Sequence, residues 1–173
     1  INVLIFLDTE FTDFLDCDLI SIGMISTGGH EFYYERNDFN QKWCSEFVRE
    51  GILPMLYKQP NVGNKSECAS AVREWLNALP YERIVFVIDF YTDIQLLEDL
   101  LDKDYGSKVP TGQYHLPVTY IQHIAAEVEA NREFVVGSEE FYEQKRGVRH
   151  HALDDAKANR EGWIAVMHKA GVF

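Results

Sequence analysis

The sequence predicts an α/β domain with a mixed central sheet of about five strands, an antiparallel hairpin plus parallel strands, flanked by helices. Three observations carry that reading. Two continuous apolar runs, residues 3–7 and 84–88, have the length and bounds of strands buried on both faces. A Gly28-Gly29 pair separates two β-rich segments. Three helical stripes, within residues 66–79, 93–101 and 152–169, each place apolar residues on one face.

The first run ends in Asp8-Thr9-Glu10. Side chains two apart on a strand share a face, so Asp8 and Glu10 point the same way from its carboxyl end. Two carboxylates ~4 Å apart at an effective dielectric of ~20 repel by about 4 kcal/mol. Such a pair calls for a proton or a hard divalent cation such as Mg²⁺, unless the strand simply ends in a solvated acidic turn. Asp13, Asp16 and Asp18 follow as an acidic connection expected to lie in solvent. Residues 18–26 and 31–35 then read as the two strands of the hairpin, both glycines accepting positive φ.

Residues 36–65 look irregular, with a helical piece near 46–50 ahead of Gly51 and Pro54. Ser66 is the expected cap of a helix carrying Ala69, Val72, Trp75, Leu76 and Leu79, which Pro80 terminates. The second apolar run leads to Asp89. Asp93 then opens a helix whose inward stripe holds Leu97, Leu100 and Leu101. An acid in a first helical turn complements the helix dipole, and one that also faces the sheet's carboxyl edge sits where α/β folds bind ligands. Residues 103–116, with Gly106, Pro110 and Gly112, read as a mobile loop. A short strand at 117–120, a helix through Asn131 and a separate short helix over 138–146 are expected next. The final helix, 152–169, has an inward stripe of Ala152, Asp155, Asn159, Trp163, Val166, Met167 and Ala170, broken by the Asp155 carboxylate.

At 173 residues the chain is expected to be a single domain, 1–173. A net charge of −12 argues against coating duplex nucleic acid, which depends on cationic displacement of phosphate counterions. It leaves room for an enzyme that draws one single-stranded end into a cation-filled pocket. No apolar run approaches the ~20 residues of a membrane span, and no export signal shows in the opening residues. Cys17, Cys44 and Cys68 are scattered, which suits reduced thiols and a cytoplasmic location better than disulfides or a zinc site. The histidines at 30, 115, 123 and 168 show no zinc-hydrolase spacing such as H-E-x-x-H.

Three inward acidic positions therefore stand in order: Asp8 with Glu10, then Asp93, then Asp155, with His150 five residues before the last. In this arrangement the chain resembles the DEDDh 3′–5′ exonucleases of the ribonuclease H-like superfamily. Their D-x-E motif is matched by Asp8-Thr9-Glu10, their H-x-A-x-x-D motif by His150, Ala152 and Asp155, and their middle Asp by Asp93. Thr92 stands where the family often has an aromatic residue, which leaves Asp89 as the alternative middle acid; the inward place of Asp93 favours it. The Asp8–Thr12 run, the 20–23 segment and the compact length are most similar to the RNase AS-like bacterial exoribonucleases, which are directed to poly(A).

The resemblance implies a ribonuclease H-like fold and two Mg²⁺ or Mn²⁺ ions. Asp8 would bridge both, Glu10 and Asp155 would hold the nucleophile-side ion, and Asp93 the other. It makes His150 the general base. It implies hydrolysis of single-stranded RNA, short or A-rich, from the 3′ end to nucleoside 5′-monophosphates, with a homodimer as the working form. Phe11 and Thr12 would touch the terminal base and sugar, and Tyr91 is a further stacking candidate. Lys145, Arg146 and Arg149, just upstream of His150, are candidates for gripping phosphate, and equally suit a helix C-terminus. His151 falls outside the motif and reads as structural or exposed. A 3′–5′ DNA exonuclease is the nearest alternative, distinguished by 2′-hydroxyl contacts. A non-catalytic nucleic-acid-binding or scaffold protein is a third reading, and the presence of all five motif residues argues against it.

Overall fold

The computed structural model describes residues 2–106, 109–115 and 125–172, with positions 2, 109–115 and 125–129 described by their backbone. Six strands form one mixed sheet in the order β4-β3-β2-β1-β5-β6. They are β1 (Asn2–Phe11), β2 (Leu19–Ser26), β3 (Glu31–Arg36), the two-residue β4 (Val62–Gly63), β5 (Arg83–Ile88) and β6 (Val109–His115). The helices are α1 (Lys65–Ala78), α2 (Tyr91–Leu101), α3 (Ala125–Glu143) and α4 (Ala152–Lys169).

The central strand β1 pairs antiparallel with β2 and parallel with β5. Its alternation sorts side chains into two cores. Val3, Ile5 and Leu7 pack with Val72 and Leu76 of α1 and Leu97 and Leu101 of α2. Phe6 packs on the opposite face with Val87, Phe134 of α3 and Ala156 of α4. Parity puts Asp8 and Glu10 on this second face, toward α3 and α4. A smaller core of Ile20, Phe39, Cys44, Val48, Ile52 and Leu56 holds down residues 37–56, which contain 3₁₀ and π turns where a short helical piece is expected.

Four local expectations are corrected. The cap of α1 is Asn64: its side chain accepts from the Glu67 N–H at 3.0 Å, and Glu67 accepts from the Asn64 N–H at 2.8 Å. That reciprocal box satisfies two otherwise unpaired donors, more than Ser66 alone would. Part of the expected loop at 103–116 is strand β6, parallel to β5. Pro110 is tolerated there because β6 lies at the sheet edge among the described residues. Residues 138–143 continue α3 rather than starting a separate helix; Gly137 lets α3 lie close to α4, since a Cβ there would sit 2.7 Å from that of Ala165. Asp18 is not simply solvated: Oδ1 accepts from Arg36 at 2.6 Å and Oδ2 from the Asn40 N–H at 2.9 Å, so it anchors the buried Arg36. The expected strand at 117–120, and His123, lie outside the described residues. Among the described residues no helix is long and apolar enough to cross a membrane.

Candidate active site

Strand β1 delivers the first two acids. Asp8 stands opposite Gly23 of β2, and Glu10 opposite Ser21. A Cβ on Gly23 would lie 2.1 Å from the Leu153 nitrogen and 2.3 Å from the Ala152 carbonyl carbon. The missing side chain thus lets the first turn of α4 settle on the sheet beside Asp8 and bring Asp155 across the strand ends.

The third acid arrives from the other layer. Asp93, 2 % exposed, sits in the first turn of α2, and its Oδ1 accepts from the Thr9 N–H at 3.1 Å and the Thr9 hydroxyl at 2.6 Å. Its Oδ2 is buried with no hydrogen-bond partner. Asp89, one residue past β5, is half-buried and hydrogen-bonded by Asn159 of α4. Asp8, Asp89 and Asp93 each bring a carboxylate oxygen to within 4.8 Å of the others. Both candidates for the middle acid, Asp89 and Asp93, thus stand beside Asp8.

Glu10, His150 and Asp155 form a second triad, each offering a ligand atom within 4.8 Å of the others. The His150 N–H donates to Asp155 Oδ2 at 2.9 Å, and the Tyr142 hydroxyl of α3 donates to Asp155 Oδ1. His150 has a left-handed backbone, φ 62°, just before the extended His151 that precedes α4. Its ring stands edge-on to Phe47, centroids 4.8 Å apart. His151 is structural: it stacks on Tyr33 at 4.3 Å.

The crowding of acids sets the electrostatics. Burial, then the charges of Asp93, Asp155, Asp89 and Glu10, hold the Asp8 carboxyl well above the usual carboxylate range. Burial and the neighbouring carboxylates push Glu10 up to about 8. Burial pushes Asp93 up to about 8 although the Thr9 hydrogen bonds favour its charged form. Asp155 rises to about 6, burial outweighing the donors Tyr142 and His150. Burial also raises Asp89. His150 moves the other way, lowered by burial and then by the Arg149 charge, so its imidazole is neutral near pH 7. A site that favours protons on this many buried acids is one where cations compete well for the same oxygens.

A cavity of about 360 Å³ opens over these groups, lined by Asp8, Asp89, Tyr142, Arg149, His150, Asp155 and residues of α3 and α4. Of the three candidate phosphate-gripping cations, Arg149 reaches it. Arg149 pairs with Glu139 and its guanidinium lies 4.3 Å from the Tyr142 ring centroid. Arg146 instead pairs with Glu161 at 3.3 Å and packs over Phe141; Lys145 is exposed and does not line the cavity. Phe11 is half-buried and lines a smaller groove beside Glu10, with Phe14 and Phe47. Thr12 is fully buried, and its hydroxyl donates to the Asp16 carbonyl at 2.5 Å and accepts from the Asp18 N–H at 2.9 Å. Its hydroxyl thus closes the 12–18 loop. Tyr91 is exposed and lines neither cavity.

Sequence reasoning missed Tyr142 and the clasp of Thr9 on Asp93. Tyr142 carries no motif signal, and the separate helix expected around it obscured its place on α3. Thr9 was legible only as the spacer between Asp8 and Glu10, and Phe14 and Phe90 extend Phe11 into a series of edge-on rings at 5.2 and 5.5 Å that no spacing announced.

The donor set fits hard divalent cations. It is all carboxylate oxygen apart from one imidazole, it holds a buried Oδ2 that nothing satisfies, and it has no thiolate. Comparison with protein-family models returned no match, and comparison with curated proteins returned none either.

Proposed function

We propose that this chain is a divalent-metal-dependent 3′–5′ exoribonuclease of the DEDDh type, with a ribonuclease H-like fold, releasing nucleoside 5′-monophosphates from single-stranded RNA. The observation that carries the reading is the convergence of the motif acids from two sides of the sheet: Asp93 meets Asp8, Glu10 meets His150 and Asp155, and Asp8, His150 and Asp155 line one cavity. Buried acids that repel one another this strongly are costly to a fold that has no use for them.

Asp8 and Asp93 would hold one ion, and Glu10 and Asp155 the other; Asp8 and Asp155 line the same cavity. When bound, such a pair of ions activates water and offsets charge on the attacking and leaving oxygens of a phosphodiester. His150, neutral near pH 7 and open to the cavity, accepts the proton that the attacking water loses. Its backbone bond to Asp155 fixes where the ring can stand. Arg149, already at the cavity wall, exchanges Glu139 for the incoming phosphodiester. Phe11, at the lip beside Glu10, offers a ring against which the terminal base stacks.

The test is product analysis on matched 5′-labelled RNA and DNA oligomers with Mg²⁺ or Mn²⁺. Stepwise shortening from the 3′ end of RNA, with 5′-monophosphates released, is expected. No hydrolysis of either polymer by the wild-type protein, or full activity in Asp8→Asn, would end the proposal.

A further inference from the structure

We propose that Asp89 is a fifth carboxylate ligand of this centre, sharing with Asp8 and Asp93 the ion on the β5 side, and that Asn159 is the positioning residue that holds it there. The inference rests on the metal-dependent reading above and adds to it a ligand outside the four motif carboxylates.

Strand β5 lies next to β1, so the residue just past its carboxyl end emerges beside Asp8. Asp89 and Asp8 both line the open cavity, whereas Asp93 does not. Asp93 has given Oδ1 to the two donors of Thr9, which leaves Oδ2, buried and without a hydrogen-bond partner, as its free ligand atom. A hard cation in that corner therefore takes one oxygen from Asp93 and needs others from the cavity side. Asp89 brings an oxygen to within 4.8 Å of those of Asp8 and Asp93.

The competing account makes Asp89 only an anchor for Asn159. An asparagine at position 89 would accept the same hydrogen bond without charge. The carboxylate adds repulsion toward Asp8, Glu10, Asp93 and Asp155 alike, and burial makes that repulsion strong. A cation removes that cost; a purely structural role leaves it in place. Asn159, 8 % exposed on the inward face of α4, ties Asp89 to the same helix that carries Asp155. Outer partners of this kind orient ligating carboxylates.

Mn²⁺ titration followed by the electron paramagnetic resonance of free Mn²⁺, with thermal shift alongside, tests this on the whole chain. Wild type is expected to take up two ions. Asp89→Asn should melt higher without metal, keep one ion and weaken the other by roughly 100-fold; Asn159→Ala should weaken that same ion by about 10-fold. Two ions bound by Asp89→Asn with wild-type affinity would overturn the assignment and leave the nuclease reading standing. No Mn²⁺ uptake by wild type would instead remove the metal-dependent reading, and this inference with it. Should Asp89→Asn fail to fold, Asn159→Ala decides: wild-type affinity for both ions counts against the proposal, selective loss of one supports it.

Discussion

Thr9 clasps Asp93 with both its backbone N–H, at 3.1 Å, and its hydroxyl, at 2.6 Å. The residue that separates the two β1 carboxylates thus fixes the third, which comes from a helix on the far side of the sheet. Thr9→Val keeps the β-branched shape and the N–H bond but deletes the hydroxyl. We expect a stability loss of about 1–2 kcal/mol and Mn²⁺ affinity reduced roughly tenfold. Denaturant melts and metal titration measure the two effects; a variant unchanged in both would show the clasp to be incidental.

Stability should fall as pH rises in the absence of metal. Asp8, Glu10, Asp89, Asp93 and Asp155 all have folded-state values raised above the unfolded ones, so the folded protein binds protons more tightly. Their contribution is complete below the unfolded carboxylate range near pH 4 and is lost as pH climbs through about 6 for Asp155 and about 8 for Glu10 and Asp93. A metal-free Tm lower at pH 9 than at pH 5 by roughly 5–10 °C is expected. Saturating Mn²⁺ should shrink that difference, because the ion replaces the protons. A metal-free Tm that rises over this interval would contradict the reading.

His150→Asn tolerates the left-handed backbone at that position. It should lower kcat by about 10²–10⁴ while the carboxylates still bind Mn²⁺. Loss of activity without loss of ion uptake separates proton transfer from metal holding; equal loss of both would make His150 chiefly a ligand.

Arg149→Met removes the charge that depresses His150 and a cation from the cavity wall. The acidic limb of the kcat/KM profile should therefore move to higher pH, and KM for RNA should rise. An acidic limb that stays in place would separate Arg149 from the titration of His150.

Gly23→Ala places a methyl carbon 2.1 Å from the Leu153 nitrogen, where neither backbone can yield cheaply. A loss of about 3 kcal/mol or more is expected, with the Mn²⁺-induced thermal shift falling too because Asp155 rides on the displaced helix. Chemical denaturation and the same thermal-shift assay report both.

The amino-acid sequence alone was enough to reveal the layers and the acids. Short apolar runs rich in β-branched residues and ended by polar or turn residues read as buried strands, and the periodic stripes of α1, α2 and α4 show which faces they bury. Asp8 and Glu10 stand out by their spacing on a strand and Asp155 by interrupting an apolar helical face, whereas His150 is marked by the motif resemblance. What the sequence left open depends on contacts between distant segments. Pro110 and Gly112 look like loop residues until an edge position makes them acceptable in β6. Asp89 and Asp93 compete for one role until the chain is folded and both stand beside Asp8. Tyr142 reaches Asp155 only because α3 runs unbroken past Gly137 against α4. Local propensity and periodicity act over a few residues, whereas the meeting of side chains from opposite layers is decided by packing.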